Sequence, residues 1–284
     1  MADIGKPFFV VPLDLGTIAT GNETAGFPAT NLNRHKAVGL TWKSTGASNL
    51  WVRGSFGTGR QVDFCSIVAA NAQAGTQFRL RLGNSQADVD GSASYDSGWQ
   101  AFVPIFEASD GGATLDLDFT SQLLQVRAVP SLSTSHLELS APVGATWWRI
   151  DIQGHTGDFQ AADLVLGKKV TPSRYYNLDY EYGAEDMGGM EVTRFGVLNE
   201  EPGVVMRTLA FTLAWVNEAE FESDFRPLME TLGRKGIVFC CFDPAYSGYR
   251  QARTYMGFLR KALFARGVRK PRTFQQDFEI LSFI

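Results

Sequence analysis

The sequence predicts a mainly β protein. An N-terminal antiparallel jelly roll or β-sandwich spans residues 1–170, and a smaller antiparallel β-rich unit with one helical excursion spans residues 171–284. Three observations carry this expectation. Short apolar segments of period two recur through the first 166 residues, the pattern of half-buried strands. Glycine is frequent, at 29 residues, and Phe, Trp and Tyr reach 12%, which suits tight turns around large core side chains. Charged residues make up 20% of the chain, below the usual quarter or so.

The elements follow in order. Phe8-Phe9-Val10-Val11 is an early apolar strand. Leu50-Trp51-Val52-Arg53-Gly54 and Gln61–Ala70 come next. Phe78-Arg79-Leu80-Arg81-Leu82 alternates strictly, which puts its arginines on the outer face. Leu115-Asp116-Leu117-Asp118-Phe119 alternates the same way, with the aspartates on a solvated face. Trp147–Ile152 and Phe159–Leu166 close the set. The glycine pairs Gly111-Gly112 and Gly188-Gly189 read as turns.

The pattern changes near Gly167–Pro172, where local charge and a proline mark a boundary. Arg207–Trp215 alternates as a strand. A helix is expected near 217–233: Asn217 is a good N-cap, with Glu220 three residues on. Phe221, Phe225, Leu228 and Leu232 share one helical face, Pro227 predicts a kink or two short helices, and Gly233 ends the run. Ile237–Phe242, an Asp243-Pro244 turn, Thr254–Leu259 and Phe278–Ile284 supply further strands.

Several classes are excluded or disfavoured. An aromatic-rich chain of low charge is not a disordered one. No apolar run is long enough to span a membrane. The net charge of −4 gives no global attraction to nucleic acid or anionic lipid. The N-terminus lacks the basic and apolar regions of a signal peptide, so synthesis in a reducing cytosol is expected. Cys65, Cys240 and Cys241 are an odd set without framework spacing and read as buried free thiols. His35, His136 and His155 show no metal-ligand spacing, and no carboxylate pair stands out. The expectation is no enzyme, no cofactor and no metal.

The net charge conceals blocks of opposite sign. Residues 177–230 hold twelve acidic residues against three basic ones, a balance of −9. Residues 231–284 hold ten basic residues against three acidic ones, a balance of +7. Three readings are open: neutralisation within one domain, complementary faces that join one subunit to the next, or a nucleic-acid patch, the weakest of the three because Tyr255 and Phe258 fall on a core-like strand. Candidate assembly residues are Arg250, Arg253, Arg260, Lys261, Arg266, Arg269, Lys270 and Arg272.

One resemblance adds to this reading. It rests on Phe27-Pro28-Ala29-Thr30-Asn31-Leu32-Asn33 with Trp42-Lys43-Ser44-Thr45, then Arg60–Asn71, Phe78–Leu82 and Tyr95-Asp96-Ser97-Gly98-Trp99. This order resembles the galactose-binding-like jelly roll of tail proteins from long-tailed bacteriophages. Trp42 and Trp99 are expected as core plugs, and Asp96-Ser97-Gly98 as a turn. The later run Leu209–Trp215, Thr254–Leu259 and Phe278-Glu279-Ile280 resembles the second domain of the same proteins. The familiar pattern has a histidine before Asn71, where this chain has Ala70.

The resemblance implies a distal-tail or minor tail protein at the tail tip. It would be made in the host bacterial cytoplasm, reside in the virion, and assemble through its C-terminal domain into a ring or hub-associated complex, with tube, tape-measure and hub proteins as neighbours. The jelly roll would face outward. Nucleic acid and membrane insertion are not expected. The alternative is a module that binds host-surface glycan, with Asn71, Asn84, Asp88, Asp90 and Tyr95 as candidate contacts.

Overall fold

The computed structural model describes residues 5–37, 39–102, 132–192, 194–196, 198–245, 250–268 and 270–284. Leu115–Phe119, Gly111-Gly112 and Arg269 lie outside these residues. The strands among them, in chain order, are β1 (Phe8–Val10), β2 (Thr17–Thr20), β3 (Trp42–Lys43), β4 (Trp51–Val68), β5 (Gln77–Gly83), β6 (Tyr95–Asp96) and β7 (Gln100–Ala101). Then come β8 (Leu137–Gln153), β9 (Gln160–Ala161), β10 (Asp163–Gly167), β11 (Lys169–Val170), β12 (Glu181–Asp186), β13 (Gly189–Val192) and β14 (Leu198–Glu201). The last are β15 (Val205–Asn217), β16 (Ile237–Cys241), β17 (Thr254–Leu259), β18 (Ala265–Gly267) and β19 (Thr273–Ser282). The protein is mainly antiparallel β.

The chain forms two compact units. Among the described residues, one unit runs from Val10 to Lys169 and includes residues 250–252; the other comprises residues 5–9, Val170–Ala245 and Arg253–Ile284. The sequence reading placed the first nine residues with the jelly roll. Of these, residues 5–9 belong to the other unit, because β1 hydrogen-bonds between β11 and β16 in its sheet, in the order β11-β1-β16-β17-β19-β15-β12. The jelly roll is thus an insertion between two neighbouring strands of the second unit's sheet.

The jelly roll is built on a sheet ordered β10-β4-β8-β5-β6, with β2 against β4 and β7 against β5. Trp51–Val68 is one long strand rather than two. The break in its pattern is absorbed as register shifts against β8 between Ser55 and Arg60 and between Val62 and Phe64. Phe159–Leu166 divides instead: β9 pairs with β3, and β10 pairs with β4. The core gathers Leu32, Trp42, Phe78, Leu80, Trp148 and Phe159, all essentially buried. Apolar burial of this kind is worth about 1.5–3 kcal/mol per large side chain.

In the second unit, Phe9 stacks on Phe278 at 4.5 Å and on Phe211 at 5.9 Å between ring centroids, and Phe211 stacks on Phe278 at 5.2 Å. Offset aromatic packing adds to the area buried. The helical excursion spans Glu218–Glu220, a π turn at Phe221–Phe225, and an α-helix at Arg226–Leu232. The Asn217 side chain accepts from Glu220 N at 2.9 Å, as a cap should. Phe221, Phe225, Leu228 and Leu232 are all buried. Pro227 sits in the first turn of the last segment, where its missing N–H costs nothing, so the interruption becomes the π turn before it. Cys65, Cys240 and Cys241 are buried free thiols, and burial pushes the Cys65 and Cys240 thiols above their ordinary pKa.

Candidate functional site

Strand pairing builds a polar and aromatic face on the jelly roll. Arg53 on β4 is opposite Arg149 on β8, and Arg149 is opposite Arg81 on β5. In the next row outward along the strands, Trp51 is opposite Asp151, which is opposite Arg79. Side chains two apart share a face, so these residues form one patch. Adjacent arginines would repel, and aspartates separate them. Asp90 takes an ion pair from Arg53 and another from Arg149, the latter at 2.5 Å. Asp151 accepts from Arg149 Nε at 2.9 Å on one oxygen and from Arg81 Nε at 3.0 Å on the other. Arg79 forks onto Asp96, with Nε at 2.7 Å.

Aromatic rings complete the patch. The guanidiniums of Arg53 and Arg149 lie 4.9 and 4.8 Å from the Trp51 ring, and that of Arg79 lies 5.9 Å from the Trp99 ring. Beyond Arg79, Gln153 donates to Gln77 at 2.7 Å. Burial opposes charge on Asp90, yet its hydrogen bonds to Arg53 and Arg149 hold the carboxyl below its ordinary pKa. The hydrogen bond from Arg79 does the same for Asp96. Four guanidiniums against three carboxylates, edged by indole rings, can hydrogen-bond vicinal hydroxyls or an acidic group and stack on an apolar ring face.

The sequence-proposed glycan contacts do not converge. The Asn71 side chain donates to Asp158 O at 2.9 Å and accepts from Gln160 N at 2.8 Å, so it stitches two loops together. Asp88 caps its own short helix, Gln86–Asp90, accepting from Asn84 N and Ser85 N at 3.0 and 2.9 Å. Asn71 precedes β5 and Asn84 follows it, so about 20 Å of strand separates them. Tyr95 packs half-buried against the core, and burial pushes its phenol up. Of the set, Asp90 alone joins the arginine face. Trp99 is a correction: the sequence suggested a core plug, but it is 38% exposed, because the Asp96–Gly98 turn carries it over Arg79 at the sheet edge. Trp42 is the buried one. Sequence reading saw the outer arginines of β5 but not Arg53 or Arg149, whose role depends on strand register.

Ion pairs occupy most of the candidate assembly residues. Arg250 meets Glu138 at 2.6 Å, and Arg253 meets Asp243. Arg260 meets Glu185 at 3.1 Å and Glu279 at 2.9 Å, Lys261 meets Glu279 at 2.8 Å, and Arg272 meets Glu218 at 3.3 Å. Arg266 and Lys270 are exposed and have no carboxylate partner among the described residues. Part of the charge division is therefore settled by neutralisation within the fold.

A second surface feature was not legible in the sequence. Residues 175–205 expose large apolar side chains in a run: Leu178 at 92%, Phe195 at 78%, Met190 at 75%, with Tyr182, Met187 and Val204. Tyr182 is on the edge strand β12, Met190 and Phe195 are on the hairpin β13–β14, and Leu178, Met187 and Val204 flank these elements; the hairpin pairs with no other strand among the described residues. No group of His, Cys, Asp and Glu among the described residues could hold a metal ion, and no described helix is long and apolar enough to cross a membrane.

No family model and no curated protein matches the chain. Solved structures resemble it weakly. Chitosan-binding module 1 of a chitosanase/glucanase from Paenibacillus sp. IK-5 is 14% identical, covers 55% of this chain and 97% of its own, and has a TM-score of 0.35. The family 32 carbohydrate-binding module of C. perfringens NanJ, in complex with galactose, is 14% identical over 57% of this chain and 99% of its own, at 0.36. The lectin domain of lectinolysin, complexed with Lewis B antigen, is 11% identical over 54% and 92%, at 0.33. At TM-scores this low the likeness brings neither a ligand nor a site to this chain.

Proposed function

We propose that the protein is a structural component of a bacteriophage tail tip, a non-enzymatic subunit that assembles through its C-terminal unit into a ring or hub-associated complex. The observation that carries the reading is the run of exposed apolar side chains on and beside β12–β14. Large apolar side chains left this exposed on one stretch of a folded unit support a protein–protein contact there. The resemblance of Phe27–Asn33, Tyr95–Trp99 and Thr254–Leu259 to tail-protein patterns supports the class. On this reading its site of action is the virion tail, and its neighbours are tail proteins. The test is a nonsense variant of the gene in the phage that carries it. The expected result is particles with no tail, or with an incomplete tip, rescued by the gene in trans. Normal infective particles would refute the reading.

A second reading is favoured by the arginine–aspartate–tryptophan face: the jelly roll holds a host-surface glycan. Trp99 offers a stacking surface, with Arg79, Asp96 and the Gln77–Gln153 pair as hydrogen-bonding groups alongside. A glycan array with the wild type and Trp99→Ala tests it. Binding that Trp99→Ala abolishes is expected; no binding by the wild type would refute it.

A further inference from the structure

We propose that the β12–β14 arm of one copy seats on the β18 edge of a second copy, in a head-to-tail contact. The proposal rests on the assembly reading above and names its two surfaces.

The two surfaces lie on opposite sides of one sheet. β12 pairs with β15 alone and β18 with β19 alone, and β19 is bonded to β15. Each therefore presents an open edge among the described residues, and an open edge is a template for pairing with another chain. Two different surfaces facing away from each other make a heterologous contact, which closes to a ring when the rotation permits.

Charge commits the occupant to a second copy. Between Asp179 and Glu201 the chain carries seven acidic residues against one basic residue, Arg194. Glu185 is tied to Arg260, but Glu181 and Glu191 are exposed and carry no ion pair among the described residues. Between Phe264 and Arg272 there are four basic residues and no acidic one. Arg266 and Lys270 are exposed there without a carboxylate among the described residues, although Arg260, Lys261 and Arg272 nearby are paired. Apolar groups match as well: Phe264, at 67% exposure, stands beside β18 as Leu178 stands beside β12. Complementary charge of this kind selects orientation and speeds encounter.

The experiment uses the full chain, with light scattering over a range of protein and salt concentrations. One variant reverses the edge (Arg266→Glu with Lys270→Glu), and another reverses the arm (Glu181→Lys with Glu191→Lys). All four side chains are exposed, so unchanged circular dichroism and melting confirm folding. The wild type should self-associate, more weakly as salt rises. Each reversal alone should weaken self-association by about tenfold or more, equivalent to about 1.4 kcal/mol. An equimolar mixture of the two should restore it, because each then offers the other a matched surface. A wild type that stays monomeric at every concentration overturns the proposal, as does an edge reversal that leaves association intact, or a mixture of folded variants that fails to recover it. None of these outcomes bears on whether the nonsense variant lacks a tail tip, so the contact and the broader reading can fail separately.

Discussion

Nδ1 of His35 lies 2.7 Å from Oδ1 of Asp163, and that carboxylate is fully buried. The second imidazole nitrogen faces Leu13 O at 3.3 Å, and Asp163 Oδ2 has no hydrogen-bond partner among the described residues. The pair ties the segment after the 3-10 turn Ala29–Asn33 to strand β10. Burial pushes the imidazole towards its neutral form, but the hydrogen bond and charge of Asp163 outweigh it and raise the His35 pKa. Burial raises the Asp163 carboxyl, and His35 draws it back only in part.

The sign of the pH effect follows. A histidine whose pKa is raised by folding contributes its full stability below the unfolded value of about 6.5 and loses it as pH climbs through the folded value. Urea unfolding across this window should show stability falling as pH rises. Asp163→Asn should flatten that slope. His35→Gln should cost about 3–5 kcal/mol, because it leaves a buried carboxylate without its counter-charge. Stability that rises across the window would contradict the assignment.

The two tryptophans of the sequence pattern should behave oppositely. Trp42→Ala empties a buried site and should cost about 3–5 kcal/mol in urea unfolding. Trp99→Ala, at an exposed edge, should stay within about 0.5 kcal/mol of the wild type. Equal losses would place Trp99 in the core after all.

Asn71 should matter for the fold rather than for ligand. Its amide bonds Asp158 O and Gln160 N, so Asn71→Ala strips two hydrogen bonds and should cost about 1–3 kcal/mol. Any glycan binding measured with the wild type should survive, when assayed well below the variant's melting temperature.

Gly257 tests the second unit's sheet. A Cβ there would lie 1.8 Å from Leu281 O on the paired strand β19, so Gly257→Ala must force β17 and β19 apart. About 3 kcal/mol of stability should be lost in urea unfolding. A neutral result would mean that these strands are not paired in this register.

Where side chains alternate, the sequence was readable. β5, β15 and the face Phe221–Leu232 stand as expected because an alternating or helical apolar face of each is buried, and β17 stands as a short apolar run buried on both faces. β12 was hidden because both of its faces are exposed, which leaves no period to detect. The length of β4 was hidden because its middle residues, about Gly57–Gln61, are exposed and break the apolar run. Site geometry was the least legible. Arg53, Arg149 and Asp90 are far apart in sequence and meet only through strand register, just as His35 meets Asp163. The charge blocks were legible, but their meaning was not: five of the ten basic residues, Arg250, Arg253, Arg260, Lys261 and Arg272, are ion-paired within the fold, while Arg234, Lys235, Arg266 and Lys270 are exposed without a carboxylate among the described residues.

The most direct test of the structural assignment is quantitative mass spectrometry of purified particles from the phage that carries this gene. The account predicts the chain in the tail fraction, in several copies per particle. Its absence from intact, infective particles would contradict it.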